Sequence, residues 1–310
     1  MSQAARSPFR RAGYTLLGSR FDYLLHTRPA EWPIMAAHTG LGYFLAVGWS
    51  GMVAGDRLGA AVLGIVLWVV FLNGGTLAIN SAFDRDEGDI GYLRAPPPVP
   101  PSLFGFGMGL MLAGGMLSLC LPREFTAAYG ICFVLSVLYS VPPFRLKAVA
   151  GADWVINMVG FGTLTPFAGW ALTGRPLDGP ILLVFAAFAP LFAALYPLTQ
   201  IYQFEEDRSR GDRTLALMLG ERASLLVALA ATLLAFGTFL VAALQRGGAA
   251  TGAWGLGLLG VALGMWLGVL VPWLFRWRTM TPAQHQRGMY AALGAWAVTD
   301  IAVAVGFGLG

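Results

Sequence analysis

The chain has 310 residues, 57% of them hydrophobic and only 12% charged, with a mean hydropathy of +0.66. No water-soluble surface can be built from that composition, so it reads as an integral membrane protein. The net charge of +4 reflects topology and attraction to anionic membrane lipid, and gives no ground for a nucleic-acid partner.

In chain order, residues 1–30 carry basic side chains but lack the short apolar core and small-residue cleavage site of a signal peptide. They read as a cytoplasmic, interfacial segment whose amphipathic lead-in ends at Trp32. Residues 31–310 form the membrane domain. At about 20 apolar residues per crossing, the pattern predicts an all-α fold of nine transmembrane helices around a central cavity. Their centres lie near Leu41, Val69, Leu112, Val134, Gly162, Ala189, Leu233, Leu263 and Ala297. Forty-one glycines and eighteen prolines suit closely packed, locally broken helices in lipid. Cys120 and Cys132 both lie in apolar runs, so neither a disulfide framework nor a thiolate metal site is supported.

Sixteen of the twenty basic residues fall on one side of this topology, against Arg57, Arg123, Arg175 and Arg246 on the other. The positive-inside rule then puts the N-terminus in the cytoplasm and, after nine crossings, the C-terminus outside, in the cell's inner (cytoplasmic) membrane.

The second span closes on "AINSAFDRDEGD", residues 78–89. On a helix, Asn80, Asp84 and Glu87 stand at i, i+4 and i+7 and share one face, while Gly88 can end the helix and turn Asp89 toward the same focus. The sixth span runs into "QIYQFEEDRSRGDRT", where Gln200, Gln203 and Asp207 share a face and Glu206 lies beside them. One acidic run beside a membrane helix is ordinarily a solvated loop. Two runs with helical spacing, on the same side of the membrane, point to a site. Their carboxylate and amide oxygens are hard donors suited to Mg²⁺, which bridges carboxylates to substrate phosphates. A phosphate-bearing substrate is therefore implied, with Arg145, Lys147, Arg208 and Arg213 as its positive partners on that side. Asp300 is an intramembrane carboxylate, either functional or a hydrogen-bonded helix contact. Asp153 favours a helix N-terminus, and His38 and His285, without partners at ligand spacing, receive no catalytic role.

These residues resemble a known family. "NSAFDRDEGD" resembles the first aspartate-rich motif of the UbiA superfamily of intramembrane prenyltransferases, and "QFEEDRSRGDRTLALMLG" the second. "YSVPPFRLK" is similar to the basic connection between the fourth and fifth helices, and "HTRPAEWP" to the lead into the first. The resemblance implies that Asn80, Asp84 and Asp207 hold Mg²⁺ and an isoprenoid diphosphate, and that Gln203 takes part. It further implies that Arg145 and Lys147 steady the diphosphate and that Tyr139 lies near the reacting carbon. Two positions depart from the pattern. Gly88 stands where the third aspartate of the first motif is expected, leaving Glu87 or Asp89 to substitute, and Gln203 replaces the leading aspartate of the second.

The implied activity is Mg²⁺-dependent transfer of an isoprenoid chain from an allylic polyprenyl diphosphate to a quinone precursor or another lipid-soluble acceptor. Such chemistry needs cations at the leaving group and aromatic faces around the carbocation, for which Tyr139, Phe161, Tyr196 and Tyr202 are candidates. The alternatives are a membrane terpene cyclase of the same fold and, from another class, a transporter with a cytoplasmic ion site.

Overall fold

A computed structural model of the chain describes residues 8–55, 57–84, 93–246 and 252–309. Two short helices, α1 (Pro8–Leu17) and α2 (Phe21–His26), precede the first long one. Helix α1 leaves Phe9, Leu16 and Leu17 exposed while burying Arg10, whose guanidinium donates to the carbonyls of Arg94 and Ala95 at 2.7 and 3.0 Å.

The long helices follow as α3 (Trp32–Ala54), then α4 (Leu58–Val66) running through a π-helical segment, Leu67–Asn73, into α5 (Gly74–Asp84). Next come α6 (Leu103–Ser118), α7 (Arg123–Ser140), and α8 (Ala152–Asn157), which passes through a second π segment, Met158–Leu164, into α9 (Thr165–Ala171). The remainder is α10 (Gly179–Ile201), two short helices α11 (Phe204–Arg210) and α12 (Leu215–Leu219), then α13 (Glu221–Gln245), α14 (Gly252–Arg276) and α15 (Pro282–Gly308). Each expected span centre lies inside a helical stretch. Among the described residues, five helical stretches are long and apolar enough to cross a membrane: 58–84, 179–201, 221–245, 254–279 and 282–308.

Among the described residues, the two largest apolar clusters organise the packing. One joins α10, α13, α14 and α15, and the other joins the π segment 67–73 with α6, α7 and α9. Helices α3 and α9 contribute to both, so they form the wall between the halves. Their contact is backbone on backbone: a Cβ at Gly42 would collide with the Pro166 carbonyl, and one at Gly169 with the Thr39 carbonyl. In lipid, where burying apolar surface gives helices no preference for each other over acyl chains, small residues that permit such approach are what bind helices together. On the outside, Leu182, Leu234, Leu244, Val261 and Phe275 stay exposed, the lipid-facing surface that the composition requires.

Candidate active site

Between the two halves lies a cavity of about 410 Å³. One part of its wall is made of helix ends and loops. Asp84 is the last residue of α5, and Asn80, one turn earlier, faces the same way because i and i+4 coincide on a helix. Lys147, buried in the 141–151 loop, donates to both: to Asn80 Oδ1 at 2.6 Å and to Asp84 Oδ1. Burial pushes the Lys147 ammonium below its ordinary value, and Asp84 pulls it back up. Arg145 holds a left-handed backbone (φ 37°), a strained state for a residue with a Cβ and one that gathers at functional sites. Its guanidinium bridges Asp84 (3.4 Å) and Asp212 (2.6 and 3.4 Å).

The second acidic stretch is not one continuous helix. Helix α10 stops at Ile201, α11 restarts at Phe204, and Gly211 (φ 73°) caps α11 in the left-handed region and reverses the chain. Arg213 N–H then donates to the Ala148 carbonyl at 3.2 Å, zipping this turn to the 141–151 loop. Thr214 caps α12 by accepting from Leu217 N–H. That reversal carries Asp212 to Arg145, a contact that helical extrapolation of the stretch cannot show.

Of the expected site residues, Asn80, Asp84, Lys147, Gln203 and Asp207 all line this cavity, with Gln200, Glu206 and Asp212 beside them. Arg145 reaches it through its two carboxylates. Glu87 and Asp89 lie outside the described residues. Arg208 and Arg213, expected as diphosphate partners, are exposed and do not line the cavity; Arg208 instead pairs with the exposed Glu205 at 3.6 Å. The physical reason is that Arg208 follows Asp207 on α11 by one residue, about 100° round the helix, so the turn that brings Asp207 into the cavity points Arg208 outward.

The rest of the wall is mostly apolar, with aromatic rings among aliphatic side chains. Tyr139, Phe161, Tyr196 and Tyr202 all line it. The Tyr139 and Tyr196 hydroxyls share a hydrogen bond of 2.7 Å. Phe161 stacks on Phe192 (5.4 Å, 12°), and Phe192 on Tyr196 (6.1 Å, 28°), with Trp296 edge-on to Phe192. His38, given no role by its sequence spacing, also lines the cavity and bonds Asp300 through Nδ1 at 3.1 Å. Asp153, expected to serve a helix N-terminus, accepts from the Gly151 and Leu215 backbone and from Gln200, tying α8, α10 and α12 beneath the site.

The donor chemistry fits a hard divalent cation: oxygens from α5 and from the 203–212 stretch face one space. Among the described residues no three carboxylate, histidine or cysteine side chains already form a metal cage. Mg²⁺ does not require one, since it commonly takes one or two carboxylates together with water and substrate phosphate. A space with carboxylates and cations at one end and aromatic rings along the remainder suits an amphiphile with an anionic head and an apolar tail.

Comparison with known proteins agrees. The UbiA prenyltransferase family model matches residues 32–293, which include both acidic stretches and the Arg145–Lys147 loop. The chain belongs to the UbiA prenyltransferase family. It is 30% identical over 206 residues to a digeranylgeranylglyceryl phosphate synthase of Natronomonas pharaonis, covering 65% of this chain and 70% of the relative. It is 27% identical over 216 residues to a lycopene elongase/hydratase of Haloferax volcanii, covering 66% and 68%. Its fold matches a UbiA homologue from Archaeoglobus fulgidus solved with GPP and Mg²⁺, with a TM-score of 0.65 and 18% identity over 89% of this chain and 99% of the other. As a member of that family, the protein is a multi-pass membrane prenyltransferase.

Proposed function

We propose that this UbiA-family enzyme transfers an isoprenoid chain from an allylic polyprenyl diphosphate, bound with Mg²⁺, to a lipid-soluble acceptor. The observation that carries the reading is the shared cavity: Asn80 and Asp84 from one acidic stretch and Asp207 and Asp212 from the other line the same space as Lys147 and the aromatic wall. Asn80, Asp84 and Asp207 serve the metal and diphosphate, joined by Gln203 and, from the stretch outside the described residues, Glu87 or Asp89. Mg²⁺, when bound, supplies positive charge against the departing diphosphate. Lys147 and Arg145 donate N–H bonds to the same oxygens, and Asp212 orients Arg145 for it. Trp68, Leu72, Phe192 and Trp296 keep water from the allylic cation. The faces of Tyr139, Phe161, Phe192 and Tyr196 stabilise that cation by about 0.5–2 kcal/mol each.

The nine-crossing topology, with N-terminus in the cytoplasm and C-terminus outside, belongs to this reading, as does the division into an interfacial segment to residue 30 and one membrane domain after it. The charge asymmetry along the sequence supports both, and with them a cytoplasmic-membrane location. The acceptor is the open choice within the class. The named relatives carry lipid-glycerol and carotenoid labels, so these join a quinone precursor as acceptors to try first.

The test is to supply purified protein with radiolabelled geranyl diphosphate and Mg²⁺ and to follow diphosphate release and organic-phase product. Release that stops on chelation with EDTA and returns with Mg²⁺ is expected. A cyclic hydrocarbon formed without acceptor would move the reading to a terpene cyclase.

A further inference from the structure

His38 on α3 and Asp300 on α15 are 262 residues apart in sequence, yet His38 Nδ1 lies 3.1 and 3.2 Å from the two carboxylate oxygens of Asp300. The imidazole is 4% exposed, lies edge-on to Phe188 (4.7 Å) and Trp296 (5.2 Å), and lines the cavity. Its Nε2 is buried and has no hydrogen-bond partner among the described residues. A histidine that merely joined two helices would be expected to satisfy both nitrogens, because an orphaned buried polar atom costs about 1–3 kcal/mol. Here one nitrogen is fixed by a carboxylate and the other is left with a lone pair. With Nδ1–H donating a hydrogen bond to the Asp300 carboxylate, the tautomer leaves Nε2 bare. None of the described diphosphate-end residues is hydrogen-bonded to this pair; it is a separate polar group on the cavity wall.

Prenyl transfer has a second need besides a leaving-group site. When C1 of the isoprenoid bonds to the acceptor, the acceptor carries one proton too many, and a positioned base removes it more effectively than occasional water. Resting on the transferase reading above, we infer that His38, backed by Asp300, is the base that removes the acceptor's proton. The C1–O bond breaks with its electron pair leaving on the diphosphate. The acceptor's nucleophilic carbon or oxygen forms the new bond to C1, and the proton passes to Nε2. Asp300 offsets the imidazolium charge until the proton is lost to solvent. The pair thus assigns the acceptor, rather than the donor, to the α3–α15 side of the cavity.

The experiment uses radiolabelled geranyl diphosphate, Mg²⁺ and, as acceptor source, total lipid extract from cells with the gene deleted. The readout is the ratio of prenylated lipid to geraniol, which reports how the cation is quenched. His38→Gln keeps a hydrogen bond to Asp300 but cannot take a proton; its ratio is expected to fall about 10²-fold. Asp300→Asn should lower it about tenfold, and added imidazole should partly restore His38→Ala. An unchanged ratio in His38→Gln, or a loss in His38→Ala that imidazole leaves untouched, overturns the assignment. Total diphosphate release separates this from the reading beneath it. Normal release with an unmoved ratio overturns His38 alone, whereas a wild type that releases no diphosphate overturns the transferase reading and His38 with it.

Discussion

The two walls of the cavity are made of opposite materials and were recorded differently in the sequence. At the helix-end wall, Asn80, Asp84, Lys147, Arg145 and Asp212 form a chain of charge-assisted hydrogen bonds between 2.6 and 3.4 Å, apart from the closer Lys147–Asp84 pair. Along the mid-helix wall, Phe161, Phe192, Tyr196 and Trp296 touch through ring faces and edges at 5.4–6.1 Å. The first wall can stabilise a departing anion and the second a transient cation. Keeping them apart in one cavity lets a single substrate meet both along its length.

Substitutions on either side should therefore fail in different ways. The largest effect is expected from Asp84→Ala, which removes the carboxylate shared by Lys147 and Arg145: Mg²⁺-dependent diphosphate release should fall about 10³-fold. Retained release would break the assignment of this wall. Asp212→Asn leaves Arg145 without its close ionic partner, so kcat/KM for the donor should fall about tenfold to a hundredfold, as for loss of a charged hydrogen bond. Phe192→Ala breaks the three-ring stack and should slow turnover by roughly 3- to 30-fold, with the donor KM little changed. A change in KM instead would mean that the ring serves binding of the isoprenoid tail. Arg208→Ala removes only an exposed ion pair with Glu205 and should leave kcat/KM within about twofold. A larger loss would restore Arg208 to the diphosphate site.

The legible part of the site was the part written in local spacing. Asn80 and Asp84 share a face because four residues make slightly more than one helical turn, and nothing later in the chain alters that. Asp207 and Gln203 reached the cavity as expected, although the helix carrying them is broken. Asp212 was missed because Gly211 reverses the chain, and the residue then meets Arg145, 67 positions earlier. The "RGDRT" glycine was the available signal for that turn. Tyr139 and Tyr202 were findable as aromatics bordering polar motifs, whereas Phe192 and Trp296, in unbroken apolar runs, look like any lipid-facing ring.

By itself, the sequence determined that the protein lives in a membrane, where its helices run and which helix ends carry oxygen donors. Each follows from composition or from periodicity within a few turns. Only the tertiary structure decided which charges meet. Arg208 faces outward, Asp212 pairs with Arg145, and His38 finds Asp300 across the bundle. Helix phase after a break and contact between distant helices are set by packing, as where Gly42 and Gly169 let α3 and α9 touch, and packing is a property of the whole chain rather than of any stretch of it.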